Sequence, residues 1–207
     1  MQPGLSVWGY KGEEMKEFNI ILCGVGGQGV LTLAAIIARA ALNHGFEVRA
    51  AELHGLSQRF GSIETHLRFG KGIRSPLVRQ ASAHLVLALE PSEALRACRY
   101  ANPETSFLLD KKPIISNTLY QLKQLYPPLD EILKRIKRFS EKIYLTDATQ
   151  KAKAMASPVM ANVYLLGKAC QLGLLPLEKS WLKEAIKEVV PERHLKENLL
   201  VFNAGQL

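Results

Sequence analysis

The segment FNIILCGVGGQGVLTLAAIIARAALNHG, from Phe18 to Gly45, constrains this chain more than any other stretch. Phe18–Cys23 is short, rich in β-branched residues and apolar on both faces, the pattern of a strand buried inside a parallel sheet. From Gln28 to Asn43 the pattern turns helical, with Ala34, Ala35 and Ala38 small enough to let the helix lie close on a sheet and His44-Gly45 as its stop. Between the two, Gly24, Gly26 and Gly29 fit the spacing G-x-G-x-x-G, Gly27 adds a further glycine, and Gln28 is able to donate an amide at the helix start. Strand, glycine turn and helix in that order expose backbone N–H groups at the positive end of a helix dipole, which suits a phosphate. The same glycines also fit a turn that only lets strand and helix pack tightly.

Beyond this unit, FEVRAAEL (46–53) reads as a second strand that completes a right-handed strand–helix–strand crossover. HGLSQRFGS (54–62) is a polar loop. SIETHLRFG (62–70) alternates, with Ile63, Thr65, Leu67 and Phe69 on one side and Glu64, His66 and Arg68 on the other, which predicts a strand with one wetter face, antiparallel to its neighbours. AHLVLALE (83–90) is another buried strand, and Pro91 starts the helix PSEALRACRY at a position where proline is tolerated. TSFLLD (105–110) and PIISN (113–117) are two further short strands. Ile132, Leu133, Ile136 and Phe139 form the apolar face of a helix over Asp130–Phe139, with Lys134, Arg135, Lys137 and Arg138 opposite. KIYLTDA (142–148) is the last strand, and Asp147 is placed to cap the helix after it. The rest is helical: SPVMANVYLLGKACQLG, LEKSWLKEAIKEVV and ERHLKENLLVFNAG. This order predicts one α/β domain with a mostly parallel sheet and a helical C-terminal region, preceded by a poorly ordered extension over residues 1–14.

Of the 207 residues 47% are apolar and 22% charged, which excludes wholesale disorder. The net charge of +8 is compatible with a nucleic acid, an anionic cofactor or an acidic protein and selects none of them. The basic helix EILKRIKRFSEK has no aromatic platform or binding motif beside it, so a solvated helix face is the simpler reading and no nucleic-acid partner is expected. Cys23, Cys98 and Cys170 are far apart and form no C-x-x-C pair, so this chain alone is not expected to build an iron–sulfur or zinc site. The five histidines, His44, His54, His66, His84 and His194, show no metal-ligand spacing; His54 stands out only for its place beside the SQR loop. No apolar run is long enough to span a bilayer, and the N-terminus lacks a secretory pattern, so the expectation is a cytoplasmic protein with no membrane partner.

The loop HGLSQRFG carries Ser57, Gln58 and Arg59, three consecutive donors at the carboxyl end of the second strand, where open parallel sheets bind ligands. Arg59 is suited to grip a phosphate or carboxylate bidentately, or simply to lie in solvent. Were the ligand NAD, Glu52 stands near the distance at which an acid takes the ribose hydroxyls. That reading, a stand-alone NAD-binding module or small dehydrogenase, lacks a second domain and a catalytic pair. An ion pair of Glu52 with Arg49 or Arg59 serves equally well.

Three stretches together, GVGGQGVL (24–31), AELHGLSQRFGSIETHLRFG (51–70) and SPVMANVYLLGKA (157–169), resemble the gamma-type domain of the 2-oxoacid:ferredoxin oxidoreductases. The H-G-x-S-Q-R-x-G-S form is most similar to the beta subunit of the indolepyruvate enzymes. The likeness runs from residue 15 to the closing NLLVFNAG, so residues 15–207 are expected to form a single domain, with Phe60 departing from a glycine usual in the family. The resemblance implies a Rossmann-like three-layer sandwich and the small subunit of an enzyme that decarboxylates aryl pyruvates oxidatively, with coenzyme A as acyl acceptor and ferredoxin as electron acceptor. A gamma subunit for another 2-oxoacid is the alternative within the family. It further implies that thiamine diphosphate and the iron–sulfur clusters sit on a large partner subunit, that this chain has no complete catalytic site, and that it is inactive alone. Gly24, Gly26, Gly27, Gln28 and Gly29 would hold a phosphate-bearing group, coenzyme A being the candidate, with Ser57, Gln58 and Arg59 completing the wall and Leu56 or Phe60 meeting the partner.

Overall fold

The computed structural model describes residues 16–54, 61–114 and 126–207. Its elements are β1 (Glu17–Val25), α1 (Val30–Asn43), β2 (Glu47–His54), β3 (Ser62–Gly70), β4 (Leu85–Ala88), α2 (Pro91–Ala97), β5 (Ser106–Asp110), α3 (Leu129–Ile136), β6 (Ile143–Thr146), α4 (Ala148–Met155), α5 (Ala161–Gln171), α6 (Lys179–Val189) and α7 (Glu192–Ala204). The expected extension over residues 1–14 lies outside the described residues.

The six strands form one sheet in the order β2-β3-β1-β4-β5-β6. β1, β4, β5 and β6 pair in parallel, while β3 runs antiparallel between β1 and β2. This is the α/β fold with a mostly parallel sheet expected from the sequence. The first crossover does return a strand parallel to β1, but β2 lies two places away because β3 occupies the neighbouring position. Pro113 and Ile114 belong to no strand, and the remainder of the expected strand 113–117 lies outside the described residues.

Alternation along β1 sorts the core. Phe18, Ile20 and Leu22 face one side, where they meet Leu33, Ile36 and Ile37 of α1 and the buried faces of α5, α6 and α7. Ile21 and Cys23 face the other, against α2 and Ile132 and Ile136 of α3. Both faces of β1 are therefore covered, as its unbroken apolar run requires. α3 ends at Ile136, three residues short of the expected boundary, so Phe139 leaves the apolar stripe and is exposed.

The face of β3 read as wetter is in fact buried. Glu64 and His66 are covered, and the pairing is internal: Glu64 Oε1 accepts from Arg99 Nη2 at 2.8 Å, from Tyr100 Oη at 2.8 Å and from His66 Nε2 at 3.0 Å. His66 Nδ1 in turn accepts from Val78 N–H at 2.9 Å. Burial alone would raise the pKa of Glu64, but these hydrogen bonds and the Arg99 charge outweigh it and hold the carboxyl below its ordinary value. Charge alternation in a strand thus marked a satisfied polar network rather than a solvent face.

α5 and α7 cross at two glycines. A Cβ at Gly167 would stand 2.2 Å from Phe202 O, and one at Gly205 would stand 2.3 Å from Tyr164 O, so backbone meets backbone at this crossing. Gly167→Ala is expected to destabilise the chain by roughly 2–3 kcal/mol through forced separation of the helices. Urea titration reads this directly; a loss under about 0.5 kcal/mol, the range of ordinary surface changes, would show that the crossing has slack.

Candidate functional site

β1 ends at Val25 and α1 starts at Val30, two residues later than the periodicity suggested, because Gly29 is left-handed with φ +75°. Gly27 is left-handed as well, at φ +95°, and a side chain at either position would be strained. The two differ in surroundings. A Cβ at Gly27 would meet nothing within 4 Å among the described residues, whereas one at Gly29 would stand 2.4 Å from Asn162 Nδ2. At Gly24 the constraint is purely steric, since a Cβ there would come within 2.7 Å of Gln28 Oε1.

Gln28 has a different role from that of a ligand donor. Its Oε1 accepts from Val25 N–H at 2.8 Å and its Nε2 donates to Leu89 O at 2.7 Å, so the side chain ties the turn to the ends of β1 and β4. Its backbone N–H closes the turn onto Val25 O at 3.2 Å, and the N–H of Gly26 is taken by Gly61 O at 2.9 Å. The N–H groups of Gly27, Gly29 and Val30 have no partner among the described residues. They sit at the positive end of a 14-residue helix, at the carboxyl end of the parallel strands. Backbone N–H groups so placed are of the kind that suits an anion.

Of the residues singled out in the sequence, Gly24, Gly26, Gly27, Gln28 and Gly29 thus form a single turn. Ser57, Gln58 and Arg59, with Leu56 and Phe60, lie outside the described residues. The residue that follows them, Gly61, is joined to the turn through Gly26. Next to it, Ser62 Oγ donates to Glu93 Oε2, which anchors the start of β3 to α2. Glu52 does not sit where a dinucleotide site needs it. Insertion of β3 places β2 roughly 10 Å, two strand spacings, from β1.

The floor beside the turn is acidic and internally satisfied. Glu90 is fully buried; it caps α2 through Glu93 N–H at 3.0 Å and accepts from Ser92 Oγ at 2.6 Å and Tyr126 Oη at 2.5 Å. Burial raises the pKa of Glu93 despite the hydrogen bond from Ser62. Burial also drives the thiol of Cys23 well above its ordinary value, and Glu93, Glu64 and Glu90 push it further. Cys23 is therefore a packed thiol rather than a nucleophile. Asp147, expected to cap α4, pairs with Lys111 at 2.9 Å instead. The capping falls to buried Asp110, whose Oδ2 accepts from Thr149 N–H at 3.0 Å and from the Thr149 hydroxyl.

Asn162, which sequence reasoning passed over, donates to Gly29 O at 3.0 Å. The available signal was an asparagine in the otherwise apolar run VMANVYLL. His84 and His44 do structural work. His84 Nδ1 accepts from Asn19 N–H at 2.9 Å while its ring stacks on Phe18, and His44 stacks on Trp181 at 3.8 Å. Among the described residues, no three His, Cys, Asp or Glu side chains gather as a metal ion would need. A groove of about 500 Å³ lies at the opposite pole, lined by Glu17, Arg68, Gly72, Arg74, Leu77 and Arg79. Its central cation, Arg68, is occupied by Glu17 at 2.5 Å and Asn19 at 2.8 Å, so the open donors of the glycine turn make the better site.

At pH 8, Cys23 is expected to react with iodoacetamide at least about a hundredfold more slowly than a free thiol, and to label fully once the chain is unfolded. Peptide mapping after a timed pulse checks this, and rapid native labelling would restore Cys23 as a nucleophile.

The family model for pyruvate ferredoxin/flavodoxin oxidoreductase matches residues 19–206. The chain is 37% identical, over 192 residues, to the indolepyruvate oxidoreductase subunit IorB of Thermococcus kodakarensis, covering 92% of this chain and 95% of that one. Among solved structures, a pyruvate oxidoreductase subunit, PORC, of Thermotoga maritima superposes with a TM-score of 0.69 at 18% identity, covering 93% of this chain and 96% of that one. The 2-oxoglutarate:ferredoxin oxidoreductase of Magnetococcus marinus, solved with 2-oxoglutarate, coenzyme A and succinyl-CoA bound, also gives 0.69, at 22% identity, with 93% of this chain covering 31% of that longer one. With residues 19–206 matched by the family model and a relative 37% identical over 92% of the chain, the chain belongs to the pyruvate ferredoxin/flavodoxin oxidoreductase family.

Proposed function

We propose that this chain is the small subunit of an indolepyruvate-type ferredoxin oxidoreductase and that its glycine turn holds a phosphate group of coenzyme A. The observation that carries the second half is the row of N–H groups at Gly27, Gly29 and Val30 with no partner among the described residues, set in a turn whose Gly26 and Gln28 amides and Gln28 side chain are already bonded. The first half is supported by the likeness to a named indolepyruvate subunit along almost the whole chain.

The chain's own chemistry is binding and orientation. Fixed N–H groups meet the anion without reorganising, and the α1 dipole adds to the attraction. The rigid turn then holds the remainder of the coenzyme at one angle. Arg59 and its neighbours are proposed to complete the wall. Three cysteines fall short of the four thiolates that an iron–sulfur cluster takes, so this chain does not fit a cluster by itself. A large partner subunit is the proposed holder of the clusters and of thiamine diphosphate, which would supply the decarboxylation chemistry, with ferredoxin as electron acceptor.

The test is reconstitution. The chain produced together with a large thiamine-dependent subunit is expected to reduce dye or ferredoxin with indolepyruvate and coenzyme A, and the chain alone to be inactive. Turnover by the lone chain with a nicotinamide cofactor would sink the proposal. Gly27→Ala, whose Cβ meets no other described residue, is expected to cost about 1 kcal/mol of stability and to raise KM for coenzyme A about tenfold or more. An unchanged KM would remove the coenzyme from this turn.

A further inference from the structure

We infer that Asn162 is a positioning residue of the glycine-turn site, acting through the carbonyl of Gly29 rather than on the ligand; this rests on the reading of that turn as an anion site. Asn162 is buried in the first turn of α5, 133 positions along the chain from Gly29. Its Nδ2 donates to Gly29 O at 3.0 Å, and its Oδ1 accepts from Val163 N–H at 2.8 Å. Both ends of the carboxamide thus have internal partners, and chemistry dictates which end is which.

Gly29 O is gripped from a second direction by Leu33 N–H at 3.0 Å, the first helical bond of α1. In a planar peptide unit the carbonyl and the next N–H point in opposite directions. Fixing Gly29 O therefore fixes the aim of the Val30 N–H, one of the unpartnered donors. The clasp also explains why position 29 excludes any side chain, since a Cβ would stand where Nδ2 does. It also accounts for a buried amide in an apolar helix, a costly group unless it is hydrogen-bonded. α5 is itself held against α7 at Gly167 and Gly205, so Asn162 works from a fixed base.

The competing role is mere capping of α5 through Val163. Asn162→Asp separates the two. The carboxylate keeps an acceptor for Val163 N–H at a helix N-terminus, where negative charge is favourable, but turns a lone pair instead of a donor toward Gly29 O. In the assembled enzyme at neutral pH, Asn162→Asp is expected to raise KM for coenzyme A about tenfold, with kcat reduced less and a lowered thermal midpoint that recovers together with KM as the pH is lowered. A buried carboxyl facing a carbonyl is driven to protonate, and the protonated acid again donates to Gly29 O. The KM defect should therefore shrink, relative to the unaltered enzyme, as the pH is lowered toward about 6.

Hydrogen exchange over residues 26–32 of the full chain should be faster in the variant at neutral pH. If Asn162→Asp leaves KM and exchange unchanged while Gly27→Ala raises KM, the positioning role is overturned and the anion site stands. If neither variant moves KM, the site and the role fall together. A KM rise that merely tracks a lowered thermal midpoint, with no pH-dependent recovery, also overturns the role.

Discussion

The carboxamide of Gln28 is the interaction around which the carboxyl end of the sheet is organised. It satisfies a donor at the end of β1 and an acceptor at the end of β4, two groups that lie beyond the last rung of the parallel ladder. An unpaired buried peptide group costs about 1–3 kcal/mol, so this single side chain removes two such costs at once. It also decides what is left over. With the Gln28 side chain and the Gly26 and Gln28 amides all spent internally, the N–H groups of Gly27, Gly29 and Val30 are left without a partner among the described residues.

The second organising fact is the antiparallel strand beside β1. Placing β3 there moves β2, with Glu52, to the sheet edge and puts Gly61 against the turn. A generic dinucleotide site needs its acidic residue on the strand next to the glycine loop. Here that position is filled by a strand whose polar side chains turn inward to Arg99, Tyr100 and Val78. On the proposed reading, the same glycine spacing serves an anion without the ribose contact.

Much of this was legible in the residues. The double-sided apolar run of β1, the alanine-rich α1 and the proline at the start of α2 each announced themselves through local pattern, with α1 beginning two residues later than the pattern placed it. What was missed depended on partners remote in sequence. Glu64 and His66 read as solvated because a strand cannot show that Arg99 and Tyr100 will cover it. Asp147 looked like a cap because nothing local reveals that Asp110, at the end of β5, reaches Thr149 first. Gln28 read as a ligand donor because its two acceptor and donor partners, Val25 and Leu89, come together only when β4 docks on β1. Asn162 was silent for the same reason.

The separation between Asn162 and Gly29 has a consequence for the order in which the molecule is made. All six strands precede residue 147, so a nascent chain can assemble its sheet and α1 before α5 has left the ribosome. In that state the turn already has its glycines and the Gln28 tie, yet the Gly29 carbonyl has only its helical bond. The turn acquires its Asn162 bond only when the C-terminal helices close over the sheet. Synthesis therefore completes the scaffold first and the full bonding of the glycine turn last.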